Sequence, residues 1–182
     1  MTKAFYTYKY TAKDRCHLIF LGKLQKMKNL DYIDMQLLEA LQTQGRTKRS
    51  FLAQLTGLSI PAVGERLKKL EECGVISSYH ATLNHKQLGW DVTAFINTTV
   101  DSSAHFPAFL HNISQTPEVL ECHAITGDGT HLLKVRARNT KDLEKLLSTI
   151  QSWDGVVHTT SQVALSSPKE STQIPLATTK PA

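Results

Sequence analysis

The chain has 182 residues, of which 41% are hydrophobic, and a formal net charge of +5 at pH 7. This length allows one or two small domains. We expect no transmembrane helix, because no run of about 18 apolar residues occurs, and no signal peptide, because the apolar run near the N-terminus is too short. We therefore expect a cytoplasmic protein. The three cysteines lie far apart and indicate neither a disulfide framework nor a zinc site.

The positive charge is concentrated in an N-terminal basic extension, residues 1–27. This segment holds six Lys or Arg side chains against the single acid Asp14. Two interpretations are open. The segment is either a basic arm that touches nucleic acid or, because Met27 directly precedes the first helical pattern, a stretch that lies before the true translation start.

Residues 28–76 contain three helical patterns separated by short turns. We predict helices over about 31–43 and 48–56, and a third that begins after Ser59, a favoured N-cap residue, and ends at Gly74. We expect the second helix to bury Phe51, Leu52 and Leu55. The apolar faces of the other two helices hold Leu30, Ile33, Leu37, Leu38 and Leu41, and Ile60, Val63, Leu67 and Leu70. Three short helices in this order are typical of a helix–turn–helix, which offers its last helix to the major groove of DNA.

The third helix carries small and charged residues on the side away from its apolar face. Gly64 costs about 1 kcal/mol of helix stability relative to Ala, which indicates that the backbone must come close to another molecule. The alternative is a solvated face on a scaffold that does not bind DNA. We predict a recognition helix, with basic residues of the preceding turn on phosphates. The candidate DNA contacts are Arg46, Lys48, Arg49, Ser59, Pro61, Ala62, Glu65, Arg66, Lys68 and Lys69.

The second half of the chain repeats a pattern of strand, helix and strand. Residues 75–83 alternate weakly and predict a strand or wing, and residues 77–90 form a linker. Residues 91–165 predict the order βαββαβ, and the polar tail 166–182 is expected to be disordered. The strands are expected over 92–100, 119–126, 131–137 and 156–165, and the helices around 106–113 and 143–150.

The predicted fold class is α+β, an N-terminal winged helix–turn–helix followed by a C-terminal ferredoxin-like βαββαβ sandwich. Two helices can cover only one face of a four-stranded sheet. A second copy of the chain is the simplest cover for the other face, so we expect a homodimer.

Both halves of the chain carry motifs of a known family. The chain resembles the Lrp/AsnC, or feast/famine, transcription regulators over about residues 28–165. The match in the helix–turn–helix is specific, and the match in the second domain is looser. The matching segments are Leu30-Asp31-x-x-Asp34, Gly45-Arg46, Gly57-Leu58-Ser59, Glu65-Arg66-Leu67, Gly74-Val75-Ile76, Glu121-Cys122-His123 and Thr126-Gly127-Asp128.

The resemblance implies a DNA-binding regulator that forms dimers through the ferredoxin-like domain, often assembled into octamers. It also implies a small effector, usually an amino acid, bound near the loop of Gly127, Asp128, Gly129, Thr130 and His131. The family pattern there is commonly Gly-x-x-Asp-Tyr, and this chain has Thr130 and His131 in the last two places. Because Thr130 cannot pair with an ammonium group as an Asp does, another kind of effector, or none, stays open.

An enzyme is the alternative to a regulator. The siroheme decarboxylases have a similar two-domain architecture, and His123, His131 and His158 could hold a tetrapyrrole or a metal. We expect His123 and His131 to lie within reach of one another across a turn. No phosphate-binding loop, dinucleotide fingerprint or Ser-His-Asp set is present, and two histidines without a third fixed ligand are weak evidence for a metal. We therefore predict no enzymatic activity, no metal and no cofactor.

Overall fold

The computed structural model describes residues 30–176, so the basic extension and its two interpretations lie outside the described residues. Within that range the chain forms two compact units. One unit combines residues 30–81 with 171–176, and the other is Thr82–Glu170. None of the helices in the described range has the length and apolar composition that a membrane span requires.

The first unit contains three helices, α1 (Tyr32–Thr43), α2 (Arg49–Thr56) and α3 (Ile60–Glu72). Asp31 caps α1 with a reciprocal pair of hydrogen bonds to Asp34, which satisfies free backbone groups at the start of the helix. The three predicted helices are confirmed. One apolar cluster joins them, formed by Leu37, Leu38, Leu52, Ala53, Val63, Leu67 and Leu70.

Two apolar residues of α2 are more exposed than expected. Leu52 is fully buried, but Phe51 is 54% exposed and Leu55 is 42% exposed, so the prediction that both are buried is wrong. The helix has only eight residues, and it turns the face of Leu52 and Ala53 toward its two neighbours. No further helix of this small unit, as far as residues 30–81 and 171–176 show, is available to cover the adjacent face.

The segment that follows α3 forms no strand. Residues 75–83 contain bends and irregular backbone without a strand ladder, so the prediction of a strand there is wrong. Val75 and Ile76 both donate their backbone N–H groups to the carbonyl of Leu70, and Gly74 adopts a left-handed φ of 72°. These bonds close the end of α3, so the two amides are not available to a strand partner.

The second unit has the predicted order of strands and helices. It contains β1 (Val92–Val100), α4 (Phe106–Ser114), β2 (Val119–Ala124), β3 (His131–Ala137), α5 (Thr140–Gln151) and β4 (Val156–Val163), preceded by a 3-10 turn at Lys86–Leu88. The antiparallel sheet has the strand order β2-β3-β1-β4. β2 and β4 each end two residues earlier than predicted, and the α+β class is confirmed.

The sheet has a buried inner face and an open outer face. The inner face packs on α4 and α5 through Ala94, Ile96, Phe109, Leu133, Val135, Leu143, Leu146 and Ile150. Alternate residues, including Phe95 and its cross-strand partner Lys134, point to the outer face. Glu170 lies on that face, where its carboxylate contacts Lys134 and Arg136.

The tail contains no helix or strand between residues 166 and 176, although several of its residues have defined partners. In the first unit, the backbone N–H and C=O of Ile174 both bond to the side-chain amide of Gln42, at 2.8 and 3.1 Å. Leu176 packs on the helical core. These contacts differ from the expectation of a disordered tail, as far as residues 166–176 are concerned.

Candidate nucleic-acid interface and effector loop

Helix α3 is oriented by its cap and its apolar stripe. The Ser59 hydroxyl accepts a hydrogen bond from the Ala62 N–H at 3.3 Å, and Pro61 occupies the first turn, where its missing N–H is not required. The buried stripe is Val63, Leu67 and Leu70. As predicted, the opposite side is exposed at Pro61, Glu65, Lys68 and Lys69, whereas Ala62 is half-buried.

Five exposed basic side chains lie on α3 itself and on the turn and helix that precede it: Lys68 and Lys69 on α3, and Arg46, Lys48 and Arg49 before it. Within residues 30–176, the exposed side chains of Arg46, Lys48, Arg49 and Lys69 take part in no ion pair. Lys68 approaches Glu72 at 3.8 Å, but both side chains are more than 60% exposed, so solvent weakens this pair. These cations are therefore available to an external polyanion.

Arg66 is placed differently from the expected DNA contact. Its Nη1 lies 2.7 Å from Asp31 Oδ2 and 2.8 Å from Asp34 Oδ1, at the start of α1. Hydrogen bonds from Arg66 to Asp31 and Asp34 raise the pKa of Arg66. Burial opposes ionisation of Asp31, but the Asp34 amide and Arg66 outweigh it and hold the pKa of Asp31 below its usual value. Arg66 thus links α3 to α1, and its assignment as a DNA contact stays a prediction.

Gly64 also has a neighbour that the sequence did not reveal. A Cβ atom at this position would lie 3.6 Å from Nη1 of Arg49, the first residue of α2. The missing side chain therefore faces the Arg49 guanidinium. This placement differs from the expected open approach of the α3 backbone to DNA bases, although the exposed Arg49 remains on the same side of the unit.

The candidate effector loop joins β2 to β3. Ile125 donates its N–H to the Thr130 carbonyl at 3.0 Å, and Gly127 and Gly129 have φ values of 103° and 98°, which favour glycine. Asp128 is exposed between them. The loop therefore presents one free carboxylate on a tightly closed turn.

The last two residues of the loop are held by the sheet. The Thr130 hydroxyl donates to the Thr98 carbonyl at 3.1 Å and accepts from the Val100 N–H at 3.0 Å. His131 is 4% exposed and packs its ring on Phe106 and Phe109, and burial lowers its pKa. The Thr130 hydroxyl and the His131 ring thus have partners inside the unit, while Gly127 and Asp128 form the accessible part of the loop.

The three histidines considered for a metal or tetrapyrrole do not converge. His123 pairs with Leu132 in the sheet, and His131 is the preceding residue along that strand, so the two rings point to opposite faces. The expectation that they lie within reach of one another is wrong. His158 pairs with Thr99 on the outer face. Across residues 30–176 no group of three His, Cys, Asp or Glu residues is arranged to hold a metal ion.

Comparison with known proteins gives matches to both units. Residues 30–77 match a winged helix-turn-helix DNA-binding domain, and residues 93–174 match the Lrp/AsnC ligand binding domain. The HTH-type transcriptional regulator FL11 of Pyrococcus horikoshii is 32% identical over 147 residues, which cover 81% of this chain and 97% of that protein.

The chain belongs to the Lrp/AsnC family of helix–turn–helix transcription regulators. The leucine-responsive regulatory protein of Escherichia coli, a member of the same family, is 33% identical over 160 residues, 86% of this chain and 98% of that protein. The resemblance inferred from the motifs is therefore confirmed.

Solved Lrp/AsnC structures share the fold. A transcriptional regulator from Neisseria meningitidis in complex with L-Met superposes with a TM-score of 0.78 at 30% identity, over 82% of this chain and 98% of that chain. Escherichia coli AsnC superposes with a TM-score of 0.74 at 30% identity, over 81% of this chain and 99% of that chain.

Proposed function

We propose that the protein is a homodimeric, sequence-specific DNA-binding transcription regulator whose action is tuned by a small effector. The observation that carries the proposal is the capped helix α3, which exposes Lys68 and Lys69 and has the Arg49 guanidinium beside Gly64. The related proteins are transcription regulators, so we propose no enzymatic activity. We also propose a cytoplasmic location, because a regulator of this kind must reach its operator DNA.

We assign the first turns of α3 to the major groove. Ser59, Pro61 and Ala62 bring the helix N-terminus close to the DNA, and Glu65 and Lys69 face the base edges. The basic residues of the preceding turn and of α2, with Lys68, contact phosphates on either side: Arg46, Lys48, Arg49 and Lys68.

The open face of the sheet supports the proposed dimer. Phe95 is 37% exposed there, beside the half-buried Leu132, and α4 and α5 cover only the opposite face. A second copy packed on this face removes both apolar side chains from water. Two copies of α3 would then read two half-sites about 34–36 Å apart. Further assembly of dimers would give an octamer.

The effector is proposed to bind at the loop between β2 and β3. Asp128, at the loop tip, can accept hydrogen bonds from a cationic or polar group. Thr130 and His131 shape the loop from inside the sheet and do not contact the effector directly. An amino acid is the first class to test, because a related regulator binds L-Met.

Fluorescence anisotropy with the chain's own promoter DNA tests the proposal. The double variant Lys68→Glu/Lys69→Glu should weaken binding and reduce the steepness of its salt dependence, by about one unit of slope for each lost phosphate contact. Lys141→Glu, an exposed position on α5, is the matched control. Absence of binding by the unaltered chain at about 50 mM salt, where phosphate contacts are strong, would overturn the proposal.

The effector is tested in the same assay with a panel of amino acids. A change in DNA affinity that Asp128→Asn removes would support the loop assignment. An effector response that is identical in Asp128→Asn and in the unaltered chain would contradict it, without affecting the assignment of α3.

A further inference from the structure

One acidic side chain lies among the basic ones on the exposed side of α3. Glu65 follows Gly64 and forms one row along the helix with Pro61 and Lys69, at spacings of four residues. All three members of the row are exposed, on the side of α3 that is opposite its buried stripe. A negative charge at this place repels the phosphates of DNA and weakens binding to the backbone. It is therefore a cost to DNA affinity unless a hydrogen-bond donor meets it.

The Glu65 carboxylate has no cationic partner in the described part of the chain. A Glu followed four residues later by a Lys is the favoured order for an ion pair on a helix. Yet Glu65 and Lys69 do not pair, and the Glu65 side chain forms no hydrogen bond or ion pair among residues 30–176. Lys68 approaches Glu72 instead, at 3.8 Å. The carboxylate is therefore available to a donor on another molecule.

A carboxylate discriminates between bases because it only accepts hydrogen bonds. In the major groove guanine presents the acceptors N7 and O6, and thymine presents the acceptor O4 and a methyl group, so neither base can donate to Glu65. The amines N4 of cytosine and N6 of adenine are the donors. In adenine the acceptor N7 lies beside the amine and would face the second carboxylate oxygen, whereas cytosine has no acceptor on this edge. A carboxylate in the major groove therefore favours cytosine.

Lys69 has the complementary chemistry and reaches a different base pair. Its ammonium group only donates, so it suits the N7 and O6 acceptors of guanine. At a rise of 1.5 Å per residue, Lys69 lies about 6 Å further along α3 than Glu65. This distance is more than one base-pair step of roughly 3.4 Å. The preference that Glu65 creates can therefore be measured separately from the preference that Lys69 creates.

We propose that Glu65 selects a cytosine in each half-site of the operator by accepting a hydrogen bond from its N4 amine. The assignment rests on the proposed function, because it names the base that α3 selects. The two copies of α3 in a homodimer are related by a two-fold axis, so the cytosine occurs once in each half-site, on opposite strands. Glu65 thus weakens binding to most sequences and strengthens discrimination in favour of one.

Selection from a random-sequence DNA pool by the full-length protein tests the proposal. The unaltered chain, Glu65→Gln and Glu65→Ala each select from the same pool. The unaltered chain should enrich cytosine at one position of each half-site. Glu65→Gln should enrich adenine at that position, because an amide can donate to N7 and accept from N6. Glu65→Ala should enrich no base there.

Fluorescence anisotropy with defined duplexes measures the size of the preference. Replacement of the selected C·G pair by T·A should weaken binding of the unaltered chain about tenfold or more, and binding of Glu65→Ala by less than about twofold. A third duplex carries N4-methylcytosine, which still pairs with guanine but lacks the N–H that faces the groove. It should weaken binding of the unaltered chain and have a smaller effect on Glu65→Ala.

Two controls separate base selection from a general effect of charge and from loss of the fold. Glu72→Gln removes the same charge from the last residue of α3 and should enrich the same bases as the unaltered chain. Thermal unfolding of each variant checks that it is folded. Because the exposed Glu65 side chain has no partner among residues 30–176, its two variants should unfold at about the temperature of the unaltered chain.

The proposal is overturned by either of two results. One is that Glu65→Gln and Glu65→Ala enrich the same bases as the unaltered chain at every position. The other is that N4-methylcytosine weakens the unaltered chain and Glu65→Ala equally. In both cases the unaltered chain still binds DNA, so the proposed regulator stands without this assignment. Absence of DNA binding by the unaltered chain would overturn both the proposed function and the role of Glu65.

Discussion

The guanidinium of Arg66 on α3 lies 2.8 Å from the carboxylate of Asp34 on α1, and the Asp34 side chain is only 7% exposed. A carboxylate buried to this degree requires a charged or hydrogen-bonding partner. Arg66 supplies that partner and also contacts Asp31, which caps the same helix. The pair therefore fixes α3 to the first helix of its unit.

Replacement of Arg66 by Ala should destabilise the helix–turn–helix unit. The change leaves Asp34 buried without its cation. The expected loss is about 1–3 kcal/mol in the free energy of unfolding, less than the roughly 3–5 kcal/mol of a fully buried pair, because Arg66 is itself 31% exposed. Urea unfolding measures the loss. Lys69→Ala is the control and should change stability by no more than about 0.5 kcal/mol.

DNA binding by the folded Arg66→Ala protein distinguishes a structural role of Arg66 from a direct DNA contact. At a temperature where both variants are folded, Lys69→Ala should weaken DNA binding more than Arg66→Ala does. If Arg66→Ala were as stable as the unaltered chain and lost more DNA affinity than Lys69→Ala, Arg66 would be a direct DNA contact.

Gly64→Ala should stabilise α3 and yet impair DNA binding. The glycine does not have a positive φ, and an added methyl group would meet the Arg49 guanidinium at 3.6 Å, an ordinary contact. Helix propensity then favours Ala by about 0.8–1 kcal/mol. We expect a higher unfolding temperature and weaker DNA binding, because the added methyl group limits the positions that the Arg49 side chain can take when it contacts a phosphate. Equal or stronger DNA binding by Gly64→Ala would show that Arg49 needs no free space beside α3.

Much of the fold was predictable because its signals are local. The alternation of apolar residues predicts β3 with the bounds His131–Ala137 that the structure has, and Ser59 predicts the start of α3. Periodicity and caps depend on neighbours a few residues apart. The helices, the order of strands along the chain and the exposed side of α3 therefore follow from the sequence.

The tertiary partners of single side chains do not follow in this way. On a helical wheel Arg66 lies on the shoulder between core and solvent, and only the position of Asp34 decides which way it turns. For His123 and His131 the deciding fact is the strand register, because a shift of one residue exchanges the two faces of a strand. The spacing of residues along the chain reveals neither the position of Asp34 relative to Arg66 nor the register of the strands.

Glu170→Gln should destabilise the sheet unit. The Glu170 carboxylate lies 2.6 Å from the Lys134 ammonium and 2.8 Å from the Arg136 guanidinium, and both basic side chains are less than 20% exposed. Loss of the charge should lower the free energy of unfolding by about 1–2 kcal/mol, less than for a buried pair because Glu170 is 39% exposed. Glu144→Gln is the control. Equal stability of the two variants would show that the tail contact contributes nothing.

The same contact has a defined pH dependence. The hydrogen bond from Lys134 holds the pKa of Glu170 below its usual value, so its contribution is present above the pKa of the unfolded chain and is lost as the pH falls through the folded pKa. The difference in stability between the unaltered chain and Glu170→Gln should therefore shrink at acidic pH. A stability difference between the two proteins that stays constant with pH would indicate that Glu170 contributes through packing and not through its charge.

His131 should make the sheet unit less stable in mild acid. Its ring is buried against Phe106 and Phe109, and burial lowers its pKa below 6.5, so the folded chain resists a proton that the unfolded chain accepts. Stability should then fall as the pH decreases from about 6.5 toward the lower folded pKa. Unfolding midpoints of the unaltered chain and of His131→Phe between about pH 7 and pH 5 measure the effect, as the difference between the two curves.

The comparison with His131→Phe is needed because protonation of His105 changes the stability of the fold in the opposite direction. A hydrogen bond to Asp101 raises the pKa of His105, so His105 adds stability as the pH falls through that raised value. Since both proteins retain His105, its contribution cancels in the difference between them. His131→Phe should therefore gain stability relative to the unaltered chain as the pH is lowered. Parallel curves for the two proteins would mean that His131 takes up its proton as readily in the folded chain as in the unfolded one.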